Sequence, residues 1–98
     1  MVSDDKLLKW QVEFHKALSN PIRLQIVEDL LEGEECQCEM FPRIGLTQST
    51  VSAYLSQLVD AGILESRREG RRKLYSIASN DMADLIRKIR ELVKSAKQ

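Results

Sequence analysis

The stretch Gly45-Leu46-Thr47-Gln48-Ser49-Thr50-Val51-Ser52-Ala53-Tyr54-Leu55 decides the fold. Thr47 is a good N-cap, because its hydroxyl can accept a backbone N–H of the first helical turn. Beyond it, Val51, Leu55, Leu58 and Val59 recur at helical spacing, and Ala61-Gly62 closes the segment. With those side chains turned to a core, Gln48, Ser49, Ser52 and Ser56 lie on the outward face. Ser49, Ser52 and Ser56 are three and four positions apart, so they form one stripe. Ser and Thr are mediocre helix formers and an unusual choice for a plain solvent face. Short hydrogen-bonding side chains gathered near a helix N-terminus suit a helix set end-first into a major groove. There Gln can bond adenine through two hydrogen bonds, and Ser can bond several base edges or a phosphate. Thr47, Gln48, Ser49, Thr50, Ser52 and Ser56 are the candidate DNA contacts of this helix.

Working outward, a short helix is expected from about Glu39 to Ile44, ended by Gly45, which completes a helix-turn-helix. Pro42 is tolerated only in a first turn, which puts the start of that helix at or after Cys38. Downstream, Ile63 to Arg68 and Arg71 to Ile77 are β-compatible runs about Glu69-Gly70 and read as a hairpin. Arg67, Arg68, Arg71, Arg72 and Lys73 crowd its tip, as candidate contacts to phosphates or to a minor groove. Each phosphate neutralised steepens the salt dependence of binding by roughly 0.9 in log–log slope. A hairpin directly after a helix-turn-helix is the order of a winged helix.

The flanks are helical. Ser3 or Asp4 can cap a first helix running to about Leu18, and Asn20-Pro21 reads as an N-cap followed by proline at the first helical position. Ile22, Ile26, Val27, Leu30 and Leu31 continue that second helix until Gly33. Met82, Leu85, Ile86, Ile89, Leu92, Val93 and Ala96 mark a long amphipathic C-terminal helix. The expected fold is mainly α with a small β-hairpin, a single winged helix-turn-helix domain over residues 1–98 in the order α-α-α-α-β-β-α. The terminal helices, about 4–18 and 81–97, carry more apolar surface than one small core can cover. Pairing them across a two-fold gives a homodimer whose recognition helices, about 34 Å apart, match an imperfect palindrome in double-stranded DNA.

Composition bounds this reading. The chain has 98 residues, 43% hydrophobic and 31% charged, with fifteen basic and fifteen acidic side chains. That is one domain's worth of core, and no apolar run is long enough for a membrane span. The N-terminus lacks a signal-peptide pattern, so a cytoplasmic location is expected. The zero net charge is an average: residues 1–49 hold five basic and nine acidic groups, and residues 50–98 hold ten and six. Such asymmetry hints at a polyanionic partner. One histidine, no glycine-rich phosphate loop and no nucleophile–base pattern argue against an enzyme. The rival class is a winged helix used for protein interaction.

The only cysteines, Cys36 and Cys38, sit in Glu34-Glu35-Cys36-Gln37-Cys38-Glu39. A structural disulfide is not expected in a cytosolic domain, and it would close too small a loop to stabilise much. The flanking glutamates are expected to disfavour free thiolates and favour an arriving cation. Residues two apart diverge on a helix but share a side in an extended segment, so chelation is feasible near the helix start.

The chain resembles the ArsR/SmtB family of winged-helix repressors. The resemblance rests on Ala17 through Ile26, Glu35-Cys36-Gln37-Cys38-Glu39, Thr47 through Ser52, Leu58 through Leu64, and Arg68-Glu69-Gly70-Arg71 with Tyr75. It implies a homodimeric repressor that leaves its operator when a ligand or metal binds, with Gln48, Ser49 and Ser52 reading bases. Ala53 stands where many members carry Arg or His. In thiol-rich members, Cys-x-Cys at this place binds arsenite, antimonite, cadmium or lead, so the resemblance implies a thiophilic inducer at Cys36 and Cys38. Those sites usually recruit a third cysteine, but here the position three beyond Cys38 is Phe41. An external thiol, a glutamate, His15 or a partner protomer would have to complete the set. Oxidation sensing, or regulation without a ligand, is the alternative. No cofactor is required.

Overall fold

Asn20 starts the central part of the fold: its side-chain oxygen accepts the N–H groups of Ile22 and Arg23 at 2.9 and 3.0 Å, with Pro21 at the first helical position. The computed structural model describes residues 5–97. The helices are α1 (Asp5–Ala17), α2 (Pro21–Asp29), α3 (Gln37–Ile44), α4 (Gln48–Asp60) and α5 (Asn80–Ala96). The strands are β1 (Glu35–Cys36), β2 (Leu64–Glu69) and β3 (Arg72–Ile77). The expected cap of α1 at Ser3 or Asp4 lies outside the described residues. One 3-10 turn, Leu30–Glu32, ends at Gly33, whose φ of 139° favours glycine.

The winged helix-turn-helix architecture is as expected, with three differences in detail. First, the sheet has three antiparallel strands in the order β1-β3-β2, with Glu35 opposite Tyr75 and Cys36 opposite Leu74. A two-residue strand has no periodicity of its own and exists only through this long-range pairing. Second, the hairpin turn is Gly70-Arg71 rather than Glu69-Gly70, because Glu69 pairs with Arg72. Gly70 has φ 63° and no non-glycine residue among the described residues has positive φ, which is the pattern of a type II′ turn with glycine first. Arg71 therefore sits on the tip itself. Third, α3 begins at Gln37, before the position inferred from Pro42. Cys36 caps it, and Glu39 reaches back to accept the Cys36 N–H at 3.1 Å. Pro42, sixth in the helix, forgoes only the bond to the Cys38 carbonyl, and the capping box offsets that loss.

The core packs Ile26 and Val27 of α2, Met40 of α3, and Val51, Leu55 and Leu58 of α4 against Ile63, Leu64 and Tyr75. Burying each large apolar side chain contributes about 1.5–3 kcal/mol. Of α5, only Ile86 is fully buried. Leu85, Ile89, Leu92 and Val93 stay 41–57% exposed, as do Leu7, Leu8, Trp10 and Val12 of α1 at 42–68%.

Candidate nucleic-acid interface

The recognition helix α4 is fixed at its N-terminus by Thr47, whose Oγ1 accepts the Thr50 N–H at 3.2 Å and donates to Thr50 Oγ1 at 2.8 Å. Thr47 and Thr50 thus act first on the helix itself. Gln48, Ser49 and Ser56 are exposed, with Ser49 Oγ 3.3 Å from Thr47 Oγ1. Ser52 is half-buried and accepts a hydrogen bond from the Gln37 side-chain amide. Val51, Leu55 and Leu58 hold the opposite face in the core with no exposure at all. Arg23 braces the middle of the helix: its guanidinium lies 5.1 Å from the Tyr54 ring centroid and donates to the carbonyls of Ala17 and Lys16.

The wing is β2, β3 and their turn, and its five basic residues divide into two sets. Arg67 grips Glu34 through two bonds of 2.8 Å, and this contact raises the Arg67 pKa and lowers that of Glu34. Arg72 meets Glu39 at 3.3 Å and Glu69 at 3.7 Å. Arg68 and Arg71 have no ion pair among the described residues, and Lys73 lies over the Tyr75 ring at 5.6 Å. Arg68 and Lys73 face each other across the hairpin, a like-charge juxtaposition that an anion between them would relieve.

The cysteine pair adjoins both elements. Cys36 is 2% exposed, and its sulfur accepts the Cys38 N–H at 3.1 Å, whereas Cys38 is exposed. The structure joins the two as a disulfide, against the expectation of free thiols. The physical reason lies in the cap: extended backbone at Cys36 (φ −76°, ψ 141°) swings its sulfur over the first turn of α3, where Cys38 sits. The pair lines a cleft of about 420 Å³ together with Gln48, Arg68, Arg71, Arg72 and Lys73.

Comparison with known proteins agrees with this geometry. Residues 20–66, from the cap of α2 into β2, match the family described as bacterial regulatory protein, arsR family. The homodimeric winged helix-turn-helix domain of a possible ArsR-family regulator from Mycobacterium bovis superposes with a TM-score of 0.88 at 33% identity, covering 98% of this chain and 93% of that one. The chain belongs to the ArsR family. A probable mercury resistance operon repressor of Streptomyces lividans is 38% identical over 73 residues, which are 74% of this chain and 58% of that protein. An arsenical resistance operon repressor of Staphylococcus xylosus is 29% identical over 83 residues, 85% of this chain and 79% of that protein. The chain thus spans little more than half the length of the first of these relatives. ArsR proteins are DNA-binding transcriptional regulators rather than enzymes. No helix among the described residues is long and apolar enough to cross a membrane.

Two features of this ArsR chain overturn the electrostatic expectation around the cysteines. Each flanking glutamate is neutralised by an arginine: Glu34 by Arg67, Glu35 by Arg43, and Glu39 by Arg72. Arg43 also meets Asp29 at 3.2 Å, and its pKa is raised chiefly by the hydrogen bond to Glu35. The uncompensated charges lining the cleft are therefore basic, and the surroundings of Cys38 do not invite a cation. The donor set is also thin: among the described residues no group of three His, Cys, Asp or Glu side chains converges as a metal site. His15 is exposed on α1, in edge contact with Phe14 at 5.4 Å.

Sequence reasoning missed Gln37, the one residue between the cysteines that reaches the recognition helix. The only signal for it was a long polar side chain at the start of one helix of the pair, facing a serine on the other. It also missed Glu34 and Glu39 as holders of the wing, since their partners lie 33 positions away.

Proposed function

We propose that this chain is a homodimeric repressor that binds an imperfectly palindromic operator and releases it when an inducer acts at Cys36 and Cys38. Gln48, Ser49, Ser52 and Ser56 read bases from α4, with Thr47 and Thr50 ordering its first turn. Arg68, Arg71 and Lys73 contact phosphates from the wing, and Arg67 and Arg72 join them when their glutamates let go. The single observation that carries this reading is the recognition helix: its apolar face is fully buried while Gln48, Ser49 and Ser56 are exposed, and Gln48 shares a cleft with Arg68 and Arg71, which make no ion pair among the described residues. The dimer is supported by the exposed apolar faces of α1 and α5 and by the homodimeric Mycobacterium bovis relative.

The relatives named for mercury and arsenic resistance support a thiophilic metal or metalloid as inducer. Within one protomer Cys36 and Cys38 would supply two thiolates, so the remaining ligand would come from an external thiol or the partner protomer. A second reading, thiol oxidation, is favoured by the disulfide itself. Either way the signal reaches DNA through Gln37, which is covalently between the cysteines and hydrogen-bonded to Ser52. Fluorescence-anisotropy binding to the DNA upstream of its gene, with arsenite, cadmium or oxidant added, tests the reading. Release by one of these, lost in Cys36→Ser/Cys38→Ser, is expected; release that survives the double substitution would refute the cysteine switch.

A further inference from the structure

We propose that the cleft between Cys38 and the wing captures an anionic low-molecular-weight thiol, which becomes disulfide-linked to Cys38 and excludes DNA. This rests on the reading above, in which the wing holds phosphates and the cysteine pair senses the inducer. Three observations converge on it. The two sulfurs differ in access: Cys36 is buried at 2% exposure, so an incoming thiolate meets Cys38. The cleft, about 420 Å³, is of small-molecule size and brings Arg68, Arg71, Arg72 and Lys73 to the same hollow as the cysteines. The glutamates that would repel an anion are each held by an arginine, which leaves Arg68, Arg71 and Lys73 as the uncompensated charges.

The exchange balances without an added oxidant. The thiolate RS⁻ attacks Cys38 Sγ, an RS–Sγ bond forms, and the Cys36–Cys38 bond breaks. Its electron pair leaves on Cys36 Sγ. That sulfur already accepts the Cys38 N–H at 3.1 Å as the cap of α3, a position that favours a thiolate. From the reduced protein the same adduct forms when the Cys38 thiolate attacks a disulfide RSSR and releases RS⁻. In both cases the carboxylates of the bound group lie among the cations that DNA phosphates need, through the same charge-assisted hydrogen bonds.

The test uses Cys36→Ser, which keeps a capping oxygen and traps the adduct on Cys38. Intact-mass spectrometry follows adduct formation with oxidised glutathione, which is anionic, and with cystamine, which is cationic. Rates are compared in the Cys36→Ser protein and in the same protein carrying Arg68→Ala/Arg71→Ala. The ratio of anionic to cationic rates is expected to fall about tenfold when the arginines are removed, the scale of electrostatic focusing in a charged cleft. The glutathione adduct of Cys36→Ser is expected to bind DNA at least tenfold more weakly than the unmodified variant. A Lys73→Ala variant, with one exposed side chain shortened, gives a milder version should the arginine pair disturb folding. A ratio that does not change, or an adduct that binds DNA undiminished, would overturn the proposed capture site even if the cysteine pair still senses its inducer. DNA release from Cys36→Ser/Cys38→Ser would instead overturn the sensor reading beneath it.

Discussion

The recognition helix and the wing carry the two halves of the candidate DNA interface, and they are held by different forces. The helix is positioned by a buried apolar face and a local cap at Thr47, all within thirteen helical residues and their flanks. The wing is a hairpin with an exposed tip, and its charges are distributed by ion pairs to Glu34 and Glu39, far away in the chain. A helix anchored in the core has its backbone fixed, so a signal from the cysteine segment meets it through a side chain, Ser52, which Gln37 holds. A wing whose arginines are shared with an acidic segment can change how much charge it offers. The cysteine pair lies in that acidic segment, so the adjustable half of the interface is the half next to the proposed sensor.

The contrast can be broken most severely from the helix side. Leu55→Ala removes a fully buried anchor of α4, and a loss of about 2–5 kcal/mol in unfolding free energy is expected by chemical denaturation. Substitutions at the exposed wing should leave stability almost unchanged. Next in size, Gln37→Ala removes the one side chain that ties the cysteine segment to Ser52. Operator affinity is expected to fall several-fold, by about the 0.5–1.5 kcal/mol of a typical hydrogen bond, while binding to unrelated DNA holds steady. Inducer response should also weaken, which anisotropy titrations with and without inducer would reveal.

The smallest effect sharpens the wing side. Arg67 holds the Glu34 carboxyl below the ordinary glutamate range, chiefly by hydrogen bonding. A depressed carboxyl contributes stability above its unfolded pKa and loses it as pH falls through the folded value. Acidification through that window therefore frees Arg67. Glu34→Gln should free it at neutral pH, tightening DNA binding by about two- to threefold, since exposed pairs are weak. The variant should also lose the acid-side gain in affinity expected of the parent. A parent and variant with the same pH profile would remove the competition between Glu34 and phosphate.

The same division explains what could be read from the residues alone. Caps at Asn20 and Thr47, the stop at Gly45 and the apolar spacing of Val51, Leu55 and Leu58 are local signals, and the structure follows them closely. The C-terminal helix was equally legible, including the excess apolar surface that Leu85, Ile89 and Leu92 leave exposed. The strand at Glu35–Cys36 was not, because two residues become a strand only by pairing with β3. The hairpin turn was displaced by one residue because register depends on turn type, which Gly70 decides through its positive φ. The acidic stretch misled most. Its glutamates were legible as charge, but their arginine partners come from the wing and from α3, and that pairing leaves the uncompensated charges lining the cleft at Cys38 basic.

The proposed division of labour has α4 reading sequence while the free wing cations supply salt-dependent grip. Its most direct test is the salt dependence of anisotropy binding to the upstream DNA and to a scrambled duplex, compared for Gln48→Ala/Ser49→Ala and Arg68→Ala/Arg71→Ala. The helix variant should lose preference for the upstream DNA, at about 1–3 kcal/mol per base contact removed, with an unchanged salt slope. The wing variant should weaken on both duplexes alike, with the log–log slope reduced by about 1.8 per protomer. A wing variant that loses preference while keeping its slope, or a helix variant that does the reverse, would contradict the account.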